Sequence, residues 1–399
     1  MEHKTKQKPT NNKVMFYTGL TYFIVLLSFV ALRIIFSVVD FGDISIVWRD
    51  RLFTIIAQLL IMGFIPILLI RLFTKQNNKV TLERFSIKGV SPSTVGYSFL
   101  LGIVVFFLTL IISTFFNGII GFFGYQSSSS SVVTSESPEL YFLLAVLFTA
   151  ILPALFEELT HRGMLLGGMM TGGNAVRAIV LSGLLFGLMH LNIEQFFFAA
   201  VVGMLLAHLT IFTRSIWPAV IVHFTNNFIS EYLKHAKYND WFGSGFYPAI
   251  NNFFNSTSFI LVFLASFLVI ALVTIAIFML LIRLFVERKK TDFKQFVKKF
   301  KREMAFTEHV DSIDFNNQEL MLSYYRQVEL ARTQAEARAN NMTYEEYNSM
   351  LAKRGLIASI MPSSGVKLTK PTFWENFFFY ASLILGGIVT IFTLVWGML

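Results

Sequence analysis

Apolar runs long enough to cross a bilayer recur along this chain, centred on roughly 14–39, 52–73, 95–118, 141–166, 176–192, 196–213, 216–233, 258–286 and 374–398. A spanning helix needs about 20 predominantly apolar residues. The pattern therefore predicts nine spans, the fifth to seventh shorter than the rest. The runs show no strand-like alternation, which points to helices. Composition agrees, since 55% of the 399 residues are hydrophobic and only 14% are charged. A soluble domain carries about 25% charged residues. One aqueous core cannot hold so much apolar surface, so lipid must solvate much of it. The predicted fold is all-α: a polytopic transmembrane helix bundle with a helical cytoplasmic insertion before the last span.

Charge gives the orientation. Lys4, Lys6, Lys8 and Lys13 precede the first run, Arg71, Lys75, Lys79, Arg84 and Lys88 follow the second, and Arg288, Lys289 and Lys290 follow the eighth. The alternate loops hold Asp40, Asp43, Glu136 and Glu139 with the Ser127–Ser131 tract. Basic loops stay inside, which predicts a multi-pass plasma-membrane protein with a cytoplasmic N-terminus and an outside C-terminus. The formal net charge of +9 comes from these membrane-flanking clusters, so no nucleic-acid partner is expected. The first apolar run is longer than a signal-peptide core and lacks a small-residue cleavage site, so it reads as a retained span. The absence of cysteine removes disulfides, thiolate metal sites and a thiol nucleophile. Oligomeric state has no signature in the sequence.

These patterns divide the chain into a three-span N-terminal region (1–140), a polar-dotted transmembrane core (141–233), an outside loop with the eighth span (234–286), a cytoplasmic helical region (287–372) and a C-terminal span (373–399). In the cytoplasmic region Phe293, Phe296, Val297, Phe300 and Met304 form one helical stripe opposite Lys294, Lys298, Lys301 and Arg302. That stripe suits either the anionic inner leaflet or packing on a neighbouring helix. A polar helix is expected over about 317–340. Thr343 with Glu346 forms a capping box opening a short helix that Gly355 would stop.

Ionisable side chains inside spans cost at least ~2.5–3.5 kcal/mol each at mid-bilayer, so those of the core are informative. They fall in three phrases: Phe156-Glu157-Glu158-Leu159-Thr160-His161-Arg162-Gly163, Phe186-Gly187-Leu188-Met189-His190, and His223-Phe224-Thr225-Asn226-Asn227. Glu158 and Arg162 are four apart, stack on one helix face and can neutralise each other. Glu157 is turned away by roughly 100°. A carboxylate held away from its counter-ion in low dielectric draws protons more strongly, which suits a general base. His223 and Asn227, also four apart, could donate two hydrogen bonds to one developing oxyanion. Each phrase also has a structural reading: a shared arginine, a packing histidine, or a helix–helix hydrogen-bonding pair worth about 1 kcal/mol.

In this order on successive segments, Glu157-Glu158-x-x-x-Arg162, Phe186-x-x-x-His190 and His223-x-x-x-Asn227 resemble the CPBP family, the type II CAAX prenyl endopeptidases and the bacteriocin-processing or immunity proteins of bacteria. Arg214-Ser215-Ile216-Trp217-Pro218 adds to the resemblance, which covers about 141–233. It implies an intramembrane endopeptidase in which Glu157 activates water with help from His190, while His223 and Asn227 form the oxyanion site. Glu158 and Arg162 would support them. His161 departs from the family pattern, which commonly has an aromatic there, and could replace or assist His190. The resemblance implies no cofactor, with zinc the alternative, since Glu and two His are plausible ligands but no His-Glu-x-x-His pair is present. The implied partners are the bilayer and a peptide or membrane-protein substrate of a bacterial-looking cell. A non-catalytic peptide-binding or immunity protein, or a small transporter, would need a similar polar interior; no inverted repeat supports the transporter.

Overall fold

The computed structural model describes residues 11–74, 85–126, 138–172, 174–257, 259–304, 317–339, 341–347 and 372–398. All regular structure among these residues is helical. In chain order the main helices are α1 (Asn11–Val38), α2 (Ile46–Thr74), α3 (Pro92–Phe122), α4 (Pro138–Met170), α5 (Ala175–Met189), α6 (Ile193–Thr213), α7 (Trp217–Asn239), α8 (Phe246–Ser256), α9 (Phe259–Met304), α10 (Gln318–Ala339) and α11 (Phe373–Met398).

Seven of them (α1 to α4, α6, α9 and α11) are long and apolar enough to cross a membrane. The expected fifth and seventh spans are the exceptions. The fifth is the 15-residue α5, and the seventh is α7, whose 23 residues include His223, Asn226, Asn227 and Glu231. The sixth, also expected to be short, is the 21-residue α6 and is long enough to cross.

Contacts near helix ends sort eight of the nine expected spans into two layers. At one layer Tyr17 stacks on Phe73, the Ser215 hydroxyl donates to the Lys88 carbonyl, Ser93 donates to Glu287, Arg288 donates to the Phe212 carbonyl, and Arg177 donates to Asn376. At the other layer Arg33 donates to the His190 carbonyl, Ile193 N–H to Thr393, and Gln126 N–H to the Gly397 carbonyl. Starts of α1, α3, α5, α7 and α11 thus share a layer with the ends of α2 and α6 and with Glu287 and Arg288 of α9, as successive antiparallel helices require.

Close packing of α5 on α6 sets the depth of the centre. A Cβ on Gly187 would lie 2.6 Å from the Phe196 carbonyl oxygen, and one on Gly183 would lie 2.7 Å from Met204 N. Small residues four apart let two backbones approach within a membrane. The link between these helices is short. Asn192 caps α6 by accepting from Glu194 N–H, and Leu191 holds φ +49°, a left-handed conformation that a side chain adopts only under constraint. The turn fixes His190 at the end of α5.

Outside the bundle, α9 runs 46 residues without a break, about 70 Å at 1.5 Å per residue, so it projects well beyond a bilayer. Phe293 and Phe296 pack against Tyr325 of α10, with ring centroids 6.1 and 5.2 Å apart. At these two positions the stripe meets a neighbouring helix rather than lipid. The Thr343–Glu346 capping box forms in both directions, at 2.9 and 3.2 Å. The predicted stop at Gly355, the serine tract and Glu136 lie outside the described residues.

Candidate active site

Three helices carry the predicted residues and a fourth completes the group. In α4 the hydrogen bonding widens to the i→i+5 pattern over Val146–Ile151 and Leu159–Leu165, leaving Leu152–Glu158 as an α-helical island between. Helix α2 widens in the same way over Ile56–Phe64. Such wide turns re-aim side chains and recur at functional sites. Here the wide turn of α2 packs on the island of α4 and the wide turn after it: Phe156 packs where a Cβ on Gly63 would sit, and the Thr160 hydroxyl donates to the Met62 carbonyl.

The Glu158–Arg162 pair forms as its spacing predicts, with Arg162 Nε 3.1 Å from Glu158 Oε2 and both side chains fully buried. Arg162 also donates to the Gly203 carbonyl at 3.1 Å and lies 4.3 Å from the Phe186 ring centre. The other Glu158 oxygen is 2.9 Å from His223 Nδ1. Arg162, Glu158 and His223 thus form one chain across α4 and α7. Because the carboxylate accepts at Nδ1, His223 offers Nε2 to the remainder of the site. With Nδ1 donating to the carboxylate, Nε2 can donate only when both ring nitrogens carry hydrogen.

Glu157 points away from this pair, as its rotation predicts, yet it is not without a partner. The Gln58 amide nitrogen of α2 donates to its Oε1 at 2.8 Å, and both side chains are buried. Neither Gln58 nor α2 was singled out in the sequence. One polar residue in a run of apolar ones was the available signal.

The three histidines play different parts. His161 Nδ1 lies 2.9 Å from the Glu157 backbone carbonyl, which can only accept, so Nδ1 carries the proton. Its Nε2 faces the Tyr22 hydroxyl of α1 at 3.2 Å, and that hydroxyl also reaches the Leu185 carbonyl. The single hydroxyl hydrogen goes to that carbonyl, so Nε2 has the Tyr22 oxygen only as a polar neighbour, and the ring is fully buried. These contacts hold His161 between α4 and α1. His190 is only partly buried, its ring nitrogens have no hydrogen-bond partner among the described residues, and it lies within electrostatic reach of Glu157 and His223. Phe186 joins the set. Its ring meets those of His161, His190 and His223 edge-on, with centroids 5.0, 5.4 and 5.8 Å away.

Asn227 sits one turn beyond His223 on α7. One of its amide hydrogens goes to the Thr149 carbonyl at 3.0 Å, and its oxygen accepts from Asn226 at 2.9 Å. Its second amide hydrogen remains for a ligand. As to metal, no group of three His, Cys, Asp or Glu side chains converges as a ligand set among the described residues.

Residues 139–229 match the model of the family described as "Type II CAAX prenyl endopeptidase Rce1-like". The matched Rce1-like segment starts at the first turn of α4, ends two residues past Asn227, and contains all three sequence phrases. It is about a quarter of the chain. At family level this supports a CAAX-protease-like membrane endopeptidase. Neither a curated protein nor a solved structure matches the chain. The Rce1-like segment excludes Tyr22 and Gln58, which α1 and α2 bring to it.

Proposed function

We propose that this chain is an intramembrane endopeptidase that hydrolyses peptide bonds of membrane-associated peptides or proteins with water activated by Glu157. The supporting observation is the division of labour between adjacent carboxylates. Glu158 is consumed by Arg162 and His223, while Glu157 is buried and, among the described residues, has no cation paired to it and meets one neutral donor. A buried carboxylate without a counter-ion is costly, and water activation gives it a use.

In this reading water sits between Glu157 and the unpartnered ring of His190. Glu157 takes a proton as the water oxygen bonds to the scissile carbonyl carbon. The oxyanion receives the second Asn227 amide hydrogen and the Nε2 hydrogen of protonated His223, held in place by Glu158. Exclusion of bulk water strengthens both donors. The C–N bond then breaks as the proton passes from Glu157 to the leaving amine. We place the catalysis without metal. The layer holding Arg71, Lys88, Arg288, Lys289 and Lys290 would be the cytoplasmic one, which puts the N-terminus inside, in a bacterial plasma membrane.

Glu157→Gln tests the reading. Full-length protein in vesicles should lose at least about a thousandfold in cleavage of a peptide the wild type cuts, the scale of a lost general base with its positioned water, while its thermal unfolding stays within a few degrees. Undiminished cleavage refutes the mechanism. Peptide binding without products would favour a capture protein, and Glu157-dependent solute flux a transporter.

A further inference from the structure

We infer that Gln58 is a positioning residue for Glu157, an amide that holds the carboxyl group in one place in both its ionised and its protonated form. The inference rests on the proposed role of Glu157 as base and extends the site beyond the matched segment to α2.

A general base has two states in each turnover. It is a carboxylate before it takes the proton from water and an acid until it passes that proton to the leaving amine. A fixed donor such as arginine serves only the first state. An amide serves both, because a half-turn about its last side-chain bond exchanges N–H donor for C=O acceptor. Gln58 has the freedom for that turn. Its nitrogen donates to Glu157 Oε1 at 2.8 Å, whereas its own Oε1 is buried with no hydrogen-bond partner, so nothing locks the amide in one orientation.

The helix contact around it is fixed by other groups. Thr160 bonds to the Met62 carbonyl and Phe156 fills the space over Gly63, so α2 and α4 are held in register one turn from Gln58 without help from its amide. Ionisable groups within electrostatic reach of Glu157 include Tyr22 of α1, Arg162 on its own helix and His190 of α5. None of these is within hydrogen-bonding distance of the Glu157 carboxylate among the described residues, which leaves Gln58 as its orienting contact.

Two variants of the full-length protein test this in vesicles, with an internally quenched fluorescent peptide that the wild type cleaves. Gln58→Leu should lower kcat by about 10- to 100-fold, the range for one hydrogen bond to a charged group, with KM within about twofold. Gln58→Glu keeps size and shape but donates only while it carries a proton shared with Glu157. Its activity should approach wild type on the acid side and fall away on the alkaline side, moving the optimum down. A purely structural role would lower both variants alike at every pH. Gln58→Leu that unfolds like wild type and keeps its kcat overturns the inference, as does a Gln58→Glu profile that superimposes on wild type at all pH values.

Infrared titration gives a readout that needs no substrate. The Glu157 carboxyl band, identified by its loss in Glu157→Gln, should change frequency and midpoint in Gln58→Leu; an unchanged band overturns the inference. A wild type that cleaves no peptide, together with an altered band, would end the peptidase reading while sustaining the role of Gln58.

Discussion

Breaking the Arg162–Glu158 pair from one side should cost far more than removing it whole. Both side chains are fully buried, with Nε and Oε2 3.1 Å apart. Arg162→Met leaves Glu158 charged in low dielectric, facing only His223. Removing one partner of such a pair costs about 3–5 kcal/mol, whereas replacing both is often near neutral. Two further losses in Arg162→Met are the bond to the Gly203 carbonyl and the stacking on Phe186, together about 1–3 kcal/mol. The single variant is therefore expected to lose about 4–7 kcal/mol, the sum of those ranges with partial overlap. The double variant Glu158→Gln/Arg162→Met should recover at least about 2 kcal/mol of it. Equilibrium unfolding in mixed detergent micelles, run as a double-mutant cycle, measures the coupling directly. Additivity within about 0.5 kcal/mol, the value for independent sites, would refute the view that these charges exist for each other. Activity should stay low in the double variant, because His223 then lacks the carboxylate that holds Nδ1.

Two other outcomes follow from the same geometry. Gly187→Leu would drive a side chain into the Phe196 carbonyl and Ala200, both part of the α6 surface; it should lower stability by about 1–3 kcal/mol and move His190, three residues on, enough to reduce cleavage in any protein that still folds. Exhaustive chelation of purified protein should leave cleavage unchanged, and loss restored by added zinc would overturn the metal-free proposal.

Much of the bundle was legible because membrane passage is written locally. A run of apolar side chains either is or is not long enough to cross, and α1, α2, α3, α4, α6, α9 and α11 were all readable in this way. Of the three runs that read as short, α6 is long enough to cross, whereas α5 and α7 carry the polar centre or end at it. Glu158 with Arg162 and the capping box of Thr343 with Glu346 were equally readable, since three- or four-residue spacings fix neighbours on a helix whatever it packs against.

Which partners meet across helices was decided by the tertiary structure alone. His223 finds Glu158 from 65 residues away, Glu157 finds Gln58 from 99, and His161 finds Tyr22 from 139. No helical period relates such pairs. The sequence determined that an acid, imidazoles and an amide lie within apolar helices. Packing decided which of them are held by one another and which remain for chemistry, because the register of α2 on α4 and the closeness of α5 to α6 depend on where glycines let backbones approach.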